Sequence, residues 1–469
     1  MNLDFCKKIK QEQKYCGKID VDAMFIHILN LHVFFYCVGR LYMYFHPEGR
    51  FILIDIDNEW HVVSCFFSEK IRRSIRPKYI RELMDRLRYT MDIQLSIDIF
   101  NFDSNLINVR NGVLNWKTKQ LLEKKQEYYF NYQLNVSYIK YADISDAPYF
   151  YKFCQTSLDR DERKIKLLLQ FLAYLCSPLI NAKKAFILLG APNSGKSMFL
   201  HLVEYIFGKE NVSNIMLEKL GDRFCTAVLS NKRINVCGEL SSRPLKDIDT
   251  FKMIVGGDTL SGEFKNKDVF DFENHCKLLF SGNILPPIKN EDVTTAFIDR
   301  LILLTFPHSI AKESRENDFF DNLKKEADII FSLAIDTLQS LVDNNYNFEV
   351  LEDSTMVLND YAFQQTNIDV FVNEWCELKE DNRVHSKVLY DAYTEFCSEN
   401  AIRPISQAMF SQKINSIPEV ESSRFRINGS NPMRGFLGIA LKVPDVQDSE
   451  VYSNQNPDKK TFEDLSSNI

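Results

Sequence analysis

The chain of 469 residues has few of the features that mark secreted or redox-active proteins. Its 11 cysteines lie at least ten positions apart, so their spacing offers neither a zinc-ligand pair nor a CxxC redox motif. A signal-peptide pattern is also missing at the start. Scattered thiols without a leader are typical of a reducing compartment, and we expect a cytoplasmic protein.

Long apolar runs are missing as well. The most apolar stretch, residues 21–45, is interrupted by Asp22, His27, Asn30, His32 and Arg40. It therefore falls short of the roughly 20 uninterrupted apolar residues of a membrane-spanning helix. We expect a buried helix and strand here and no membrane partner.

An excess of positive charge is missing too, because the formal net charge is −7. Any surface for nucleic acid must therefore be a local basic patch and not a property of the whole molecule. Glycine is scarce, with 16 residues in the chain, so a glycine-rich motif rarely arises by chance.

One such motif lies between an apolar strand at 186–189 and an amphipathic helix that runs to residue 207. Its pattern, Gly-x4-Gly-Lys-Ser, is typical of a phosphate-binding loop that holds ATP. The predicted nucleotide-binding residues are Gly190, Ala191, Pro192, Asn193, Ser194, Gly195, Lys196 and Ser197. Lys196 would bind the β- and γ-phosphates, and Ser197 would offer its hydroxyl to Mg²⁺. The alternative is a glycine-rich turn that only connects strand to helix.

Two later strands end in polar side chains that suit ATP hydrolysis. Glu239 follows a strand that starts at residue 234, and we predict that it holds Mg²⁺ and polarises the attacking water. Asn283 follows a strand over 277–282 and is predicted to orient that water against the γ-phosphate. Arg300 precedes a further strand and could reach the γ-phosphate of a neighbouring subunit. The alternative for Arg300 is a surface salt bridge.

A hairpin with a basic tip is predicted between these strands. Residues 259–264 and 269–272 read as its two strands, with Lys265 and Lys267 at the turn. Pointed into the pore of a ring, such a tip could grip a phosphate backbone. An ordinary solvated turn would carry the same residue types.

The region before the motif is less informative. Asp55 and Asp57 end an apolar strand; they could hold a metal in a reduced primase, but a solvated strand end is the favoured explanation. Residues 66–95 have a helical period with many basic side chains, as expected for a solvated helix face. An Asn-Gly pair at 111–112 predicts a hairpin within 102–116, and residues 148–179 read as helical.

These motifs resemble those of the superfamily 3 helicases, AAA+-like hexameric motors of small viruses, phages and plasmids, and most closely the poxvirus and phage primase-helicase branch. Motif A is 190–197, motif B 235–240, the hairpin region 256–272, motif C 279–286 and the arginine-finger segment 297–306. All five stand in the family's order. Motif B often has two adjacent acids, but here Gly238 takes the first place. The finger segment often reads Arg-Arg, but here it reads Asp299-Arg300.

The C-terminal part is similar to the winged helix of these proteins. Residues 369–441 predict three helices and a hairpin, and residues 383–442 carry eight Lys and Arg against five Asp and Glu. Lys413 lies in the helix that corresponds to the recognition helix, and Arg424, Arg426 and Arg434 lie in the wing. DNA is the expected ligand of this domain, with docking of a protein as the alternative. Residues 443–469 are polar and predicted to be disordered.

The resemblance implies an α/β fold: an AAA+-like P-loop NTPase core with an N-terminal α+β or helical domain and a C-terminal winged helix. The implied divisions are a region of unknown role at 1–64, a mainly helical segment at 65–180, the motor at 181–345, a linker with the winged helix at 346–442, and the tail. The implied function is an ATP- and Mg²⁺-dependent DNA helicase of a mobile element. It would act as a homo-hexamer on single-stranded or forked DNA, with a separate primase as a further partner. The alternative is an ATP-switched replication initiator or loader that does not unwind processively.

Overall fold

The computed structural model describes residues 21–442 except 38, 56–65, 68, 70–72, 74, 96–99, 101–102, 242–244, 246–247, 266–267, 287, 289–293, 313–315, 401–403, 416 and 427–431. The predictions for Asp57, Lys267 and the tail at 443–469 lie outside the described residues. The chain divides into two units, Met1–Tyr361 and Ala362–Ile469. This division falls within one helix, after the end of the predicted motor segment.

The first unit begins with a small α+β region. Its elements are α1 (Val21–Leu29), β1 (Phe34–Cys37), β2 (Arg40–Phe45), β3 (Arg50–Ile54) and α2 (Pro77–Arg88). The three strands form an antiparallel sheet with its own aromatic-rich core. The predicted buried helix in residues 21–45 is confirmed. The predicted strand is confirmed as two strands, β1 and β2, that form a hairpin. Among the described helices none is both long and apolar enough to cross a membrane.

A second small sheet and two helices follow. The elements are β4 (Leu106–Val109), β5 (Gly112–Asn115), β6 (Gln120–Leu122), α3 (Pro148–Ser157) and α4 (Glu162–Cys176). The predicted Asn-Gly hairpin is confirmed as β4–β5, and β6 extends it to three strands. Asp161 begins α4 by accepting hydrogen bonds from the backbone amides of Arg163 and Lys164. The segment predicted to be mainly helical thus contains a sheet in its middle.

The centre of the first unit is a five-stranded parallel sheet in the order β13-β7-β12-β9-β8. The remaining elements of this unit and the helix that leaves it are β7 (Ala185–Gly190), α5 (Lys196–Phe207), β8 (Val212–Ser213), α6 (Cys225–Leu229), β9 (Ile234–Cys237), α7 (Asp249–Gly256), β10 (Thr259–Glu263), β11 (Val269–Glu273), β12 (Lys277–Gly282), α8 (Thr294–Ile298), β13 (Leu301–Phe306), α9 (Phe319–Lys325), α10 (Ala327–Asp343) and α11 (Glu352–Trp375). Each strand of this sheet is joined to the next one in the chain by a crossover connection, as parallel pairing requires.

Alternate residues of β7 face two different cores. Phe186 and Leu188 belong to a core shared with α4, α5 and α10, whereas Ala185, Ile187 and Leu189 belong to one shared with α7, α8 and the β10–β11 pair. All five side chains are buried. A strand covered on both faces reads as a continuous apolar run, and this explains the sequence of β7.

The second unit combines helices with an antiparallel sheet of order β14-β16-β15. After α11 come β14 (Cys376–His385), α12 (Ser386–Glu399), α13 (Gln407–Ile414), β15 (Glu421–Phe425) and β16 (Met433–Leu441). The predicted helices and the hairpin are confirmed. β14 is an addition, because its polar run at 377–383 has no alternation that would predict a strand; its pairing with β16 supplies the strand geometry.

Candidate nucleotide-binding site

A cleft of about 690 Å³ opens where the carboxyl ends of the parallel strands meet. The loop after β7, residues 238–240 after β9 and residues 281–283 around the end of β12 line its walls. Because β12 lies between β7 and β9, the ends of three strands separated in sequence converge on one space. Open parallel sheets bind ligands at this edge.

The two glycines of the loop occupy positions that a side chain could not. Gly190 has φ 153°, and a Cβ there would lie 2.1 Å from the Phe306 carbonyl oxygen. Gly195 has φ 102°, and a Cβ would lie 2.3 Å from Ser157 Oγ. Such contacts are too short for any Cβ, so the loop requires glycine at both places.

Lys196 begins α5 and turns back into the loop. Its Nζ donates hydrogen bonds to the carbonyl oxygens of Gly190 (2.7 Å) and Ala191 (2.6 Å), and to Ser194 Oγ and Asn283 Oδ1, both at 3.4 Å. Burial lowers the pKa of the Lys196 ammonium from its usual value. Lys196, predicted to bind phosphate, and the amide of Asn283, predicted to orient the attacking water, are therefore neighbours, although 87 positions separate them.

Ser197 and Glu239 both line the cleft, and both are exposed to it. Gly238 leaves room beside Glu239, since the nearest atom to a Cβ built there is Leu200 Cδ1 at 3.8 Å. Within the described residues, no three His, Cys, Asp or Glu side chains converge as metal ligands. A magnesium ion would therefore be held by one hydroxyl, one carboxylate and the phosphates of a bound nucleotide, an oxygen donor set that suits it.

The other walls of the cleft are formed by residues that belong to none of the predicted sequence motifs. Ile310 donates its backbone N–H to the Asn193 carbonyl (2.9 Å), and Ser309 Oγ donates to the Pro192 carbonyl (2.6 Å), so the segment after β13 holds the loop in place. At the rim, Lys152 of α3 forms an ion pair with Glu316. These residues come from elements that only the folded chain brings to the loop.

Arg300 is not part of this cleft. It directly precedes β13, which is parallel to β7, and its carbonyl accepts a hydrogen bond from the backbone of Ala185 at the amino end of β7. It therefore lies at the edge of the sheet opposite the cleft. Its Nη1 donates to the Ala296 carbonyl at 2.7 Å. Among the described residues no carboxylate forms a salt bridge with Arg300, so the alternative of a surface salt bridge is not supported. A role at the cleft of the same chain is excluded by this placement.

The predicted hairpin is confirmed as β10–β11, and two charged contacts add to the core packing of its buried Leu260 and Phe272. Arg223 makes a bidentate ion pair with Glu263 at 2.6 and 3.0 Å. The Arg40 guanidinium of β2 lies 4.1 Å from the ring centre of Phe264, which stacks on Phe270. Lys265, at the turn, is exposed.

The candidate DNA-binding residues of the second unit fall in different places. Arg424 and Arg434 are exposed and directly opposite each other on β15 and β16, and Arg426 is exposed just after β15. Lys413, on α13, does not line the groove between α13 and these strands. The wing positions are thus available to a ligand, whereas Lys413 faces elsewhere.

Three sequence families match the chain in succession. Residues 66–159 match "D5 N terminal like", residues 188–300 match a family of unknown function (DUF5906), and residues 367–436 match "Poxvirus D5 protein-like". The second match covers most of the cleft residues described above, and the third covers most of the described part of the second unit.

Among curated proteins, the chain is 23% identical over 258 residues to "Putative helicase V13" of Sputnik virophage, a match over 47% of this chain and 33% of that protein. The chain thus spans about a third of this relative's length. Two solved structures of the NrS-1 C-terminal region are 14% identical to the chain, cover 90% of it, and have TM-scores of 0.48 and 0.47; the chain covers 100% of each. Its segments at 66–159 and 367–436 both match D5-type families, and together with the helicase-like relative they make the chain similar to the D5-type primase-helicases of phages and poxviruses.

Proposed function

We propose that this protein is an ATP-driven DNA helicase that serves the replication of a phage, virus or other mobile element. The observation that carries the proposal is the convergence of Lys196, Glu239 and Asn283 on one cleft at the carboxyl edge of a parallel sheet. The glycines of the loop and the helix that starts at Lys196 form the P-loop of an AAA+-like core in this proposal. The sheet order and the D5-type domains support that assignment.

Each residue of the cleft has a role that its chemistry suits. The backbone amides of residues 190–197 bind phosphate, and Lys196 would exchange its contacts with the loop carbonyls for the β- and γ-phosphates. Glu239 positions and deprotonates the attacking water, while the Asn283 amide orients it. Mg²⁺, held by Ser197 and Glu239, neutralises charge on the phosphate oxygens.

In a ring of subunits, Arg300 can reach a nucleotide that it cannot reach in its own chain. Because Arg300 lies at the edge opposite the cleft of its own chain, it could meet a γ-phosphate only across a subunit boundary. An arginine placed there stabilises the charge of the transition state. This supports a closed homo-oligomer, a hexamer in our proposal, with ATP bound between subunits.

The β10–β11 hairpin is the proposed link between ATP and DNA. Lys265 is exposed at its turn, next in sequence to Phe264, whose ring stacks on that of Phe270. A basic side chain beside aromatic rings can hold both the phosphates and the bases of a single strand. Hydrolysis in the cleft would then move the tip and the strand together.

Strand displacement on a forked DNA duplex with ATP and Mg²⁺ tests the proposal. Wild type should unwind the fork, whereas Lys196→Ala should lose both hydrolysis and unwinding. Lys265→Ala should hydrolyse ATP but displace no strand, and Lys140→Ala, which removes an exposed lysine elsewhere, should behave as wild type.

Two results would contradict this function. Hydrolysis that DNA stimulates without any displacement would indicate an ATP-switched initiator or loader. A chain that binds ATP but never hydrolyses it would remove the motor assignment altogether, and the loop would then serve binding alone.

A further inference from the structure

The second unit has a groove with several basic side chains that the cleft chemistry does not use. It measures about 1280 Å³ and lies between the start of α12, one face of α13 and the β15–β16 strands. The side chains on which the argument depends are His385, Ser386, Lys387, Ser411, Arg424 and Arg434. One acid, Asp391, shares the wall. The charged side chains of the groove therefore sum to an excess of positive charge.

The 14-residue helix α12 begins in this groove. Its N-cap residue, His385, has an extended backbone, and its side chain makes no capping hydrogen bond. The first three residues of the helix line the groove, and the amides of a first turn have no acceptor within their own helix. Ser386 Oγ lies 3.4 Å from Ser411 Oγ of α13, so two hydroxyls join the amides there. Helix starts of this kind favour anions.

The imidazole of His385 is a second and independent sign of a ligand. The residue is 7% exposed, and among the described residues no group forms a hydrogen bond with its Nε2. Its ring lies against Phe425, with the centroids 5.3 Å apart and the planes at 27°. Stacking fixes the ring, and a buried nitrogen without a partner destabilises the fold unless something else binds it.

Arg424 and Arg434 add a third sign. They are paired across β15 and β16, and both line the groove. Like charges directly opposite each other on a sheet repel, and an anion between them removes that repulsion. No ion pair joins either arginine to an acid in the described part of the chain. The groove thus collects donors from a helix start, an imidazole and two guanidinium groups.

We infer that this groove binds a backbone phosphate of DNA at the start of α12. The first-turn amides, Ser386 and His385 Nε2 donate to the phosphate, while Lys387 and the two arginines neutralise its neighbours along the strand. Helix starts and basic side chains are the usual phosphate contacts of proteins on duplex DNA. The inference rests on the proposed function only in taking DNA as the source of the phosphate.

Fluorescence anisotropy of a labelled duplex with the full chain, without nucleotide, tests the site. His385→Phe keeps a ring against Phe425 but removes the donor, and it should weaken binding about threefold to tenfold. His385→Gln places an amide N–H near the lost Nε2 and should restore part of the affinity. Lys387→Ala should lower the salt dependence by about 0.9 in the slope of log K against log salt, as expected when one phosphate contact is lost.

Lys379→Ala is the matched control, because Lys379 is an exposed lysine of β14 outside the groove and pairs with Glu377. It should bind the duplex as wild type does. The inference fails if His385→Phe and Lys387→Ala, with unchanged melting temperatures, also bind the duplex as wild type does. It fails equally if these variants lose affinity for inorganic phosphate but not for the duplex, which would indicate a site for the free ion. A full chain that binds no DNA while its ATPase is intact would overturn it too, in favour of a protein-docking role.

Discussion

At the scale of single residues, His275 ties stability to pH. Burial and the neighbouring charges of Arg233 and Lys277 lower the pKa of its imidazole to about 4. The unfolded chain, with a pKa near 6.5, then binds more protons between the two values, so stability falls as the pH drops from about 6.5 to 4. The difference between these two pKa values corresponds to about 3 kcal/mol.

We therefore expect His275→Gln to flatten this part of the pH profile. The measurement is the free energy of unfolding in urea at several pH values from neutral down to the lowered pKa. His201→Gln is the control, because the side chain of His201 is 61% exposed on α5. Equal losses of stability with falling pH in wild type and His275→Gln would mean that other groups account for the acid sensitivity.

Gly195 gives the second prediction at this scale. Gly195→Ala should weaken ATP binding at least about tenfold, because alanine is strained at φ 102° and its Cβ would meet Ser157 Oγ. Titration with a fluorescent ATP analogue measures the effect. Gly238→Ala, in the same cleft but with free space at its Cβ, should bind the analogue as wild type does. Normal ATP binding by the Gly195→Ala variant would contradict the assigned loop geometry.

How far the site can be predicted from sequence depends on how local each contact is. The convergence of the loop, Glu239 and Asn283 on one cleft was predictable because each follows an apolar strand, and parallel strands share one carboxyl edge. Asn235 shows the limit. It lies in a predicted motif, yet its Oδ1 accepts from Ser213 Oγ and Ile215 N–H and so braces the sheet edge. Only the fold separates such a bracing amide from one that faces the cleft.

At the scale of elements, Lys277 at the start of β12 holds the end of α4. Its buried ammonium donates to the carbonyls of Tyr174 (2.6 Å), Leu175 (3.2 Å) and Ser177. Lys277→Met should lower the free energy of unfolding by about 2–4 kcal/mol, since three buried carbonyls lose this donor and, among the described residues, only that of Tyr174 still accepts from Ser177. Urea unfolding measures it. Lys166→Met, on an exposed lysine of α4, should cost less than about 1 kcal/mol; similar losses in both variants would contradict the capping role.

The docking of the β10–β11 hairpin on β2 is another property of elements. Arg40→Gln removes the cation from the face of Phe264 and should speed amide hydrogen exchange in residues 259–273 about twofold to fivefold. Arg86→Gln is the matched control, because Arg86 lies 4.5 Å from the ring centre of Phe25, away from the hairpin. Hydrogen exchange read by mass spectrometry distinguishes them. Unchanged exchange in Arg40→Gln would mean that the Arg223–Glu263 pair and the buried Leu260 and Phe272 hold the hairpin without the contact to β2.

Elements themselves were largely predictable, and the exceptions have a physical cause. β7 and α5 follow from an apolar run and a helical period, and β10–β11 follows from alternation around a polar turn. β14 could not be predicted in this way, because many of its residues are charged and exposed, and its strand geometry comes from pairing with β16. The stacking of Arg40 on Phe264 joins residues far apart in the chain, and no local pattern encodes it.

At the scale of the whole molecule, the placement of Arg300 makes a prediction about assembly. In the proposed ring, the Lys196→Ala chain retains a functional Arg300, and the Arg300→Ala chain retains a functional cleft. Each variant alone should be inactive as an ATPase. Mixed in equal amounts and allowed to reassemble, they should recover about a quarter of the wild-type rate, because about one interface in four then has both groups intact.

The matched mixture combines Lys196→Ala with Glu239→Gln, two changes in the same cleft. No subunit of this mixture has a complete cleft in any arrangement, so it should stay inactive whatever the state of assembly. Recovery in the first mixture and none in the second would place Arg300 at a neighbour's γ-phosphate. If the first mixture also stays inactive, the shared site has to be abandoned, and the loss in Arg300→Ala would be structural, through its bond to the Ala296 carbonyl.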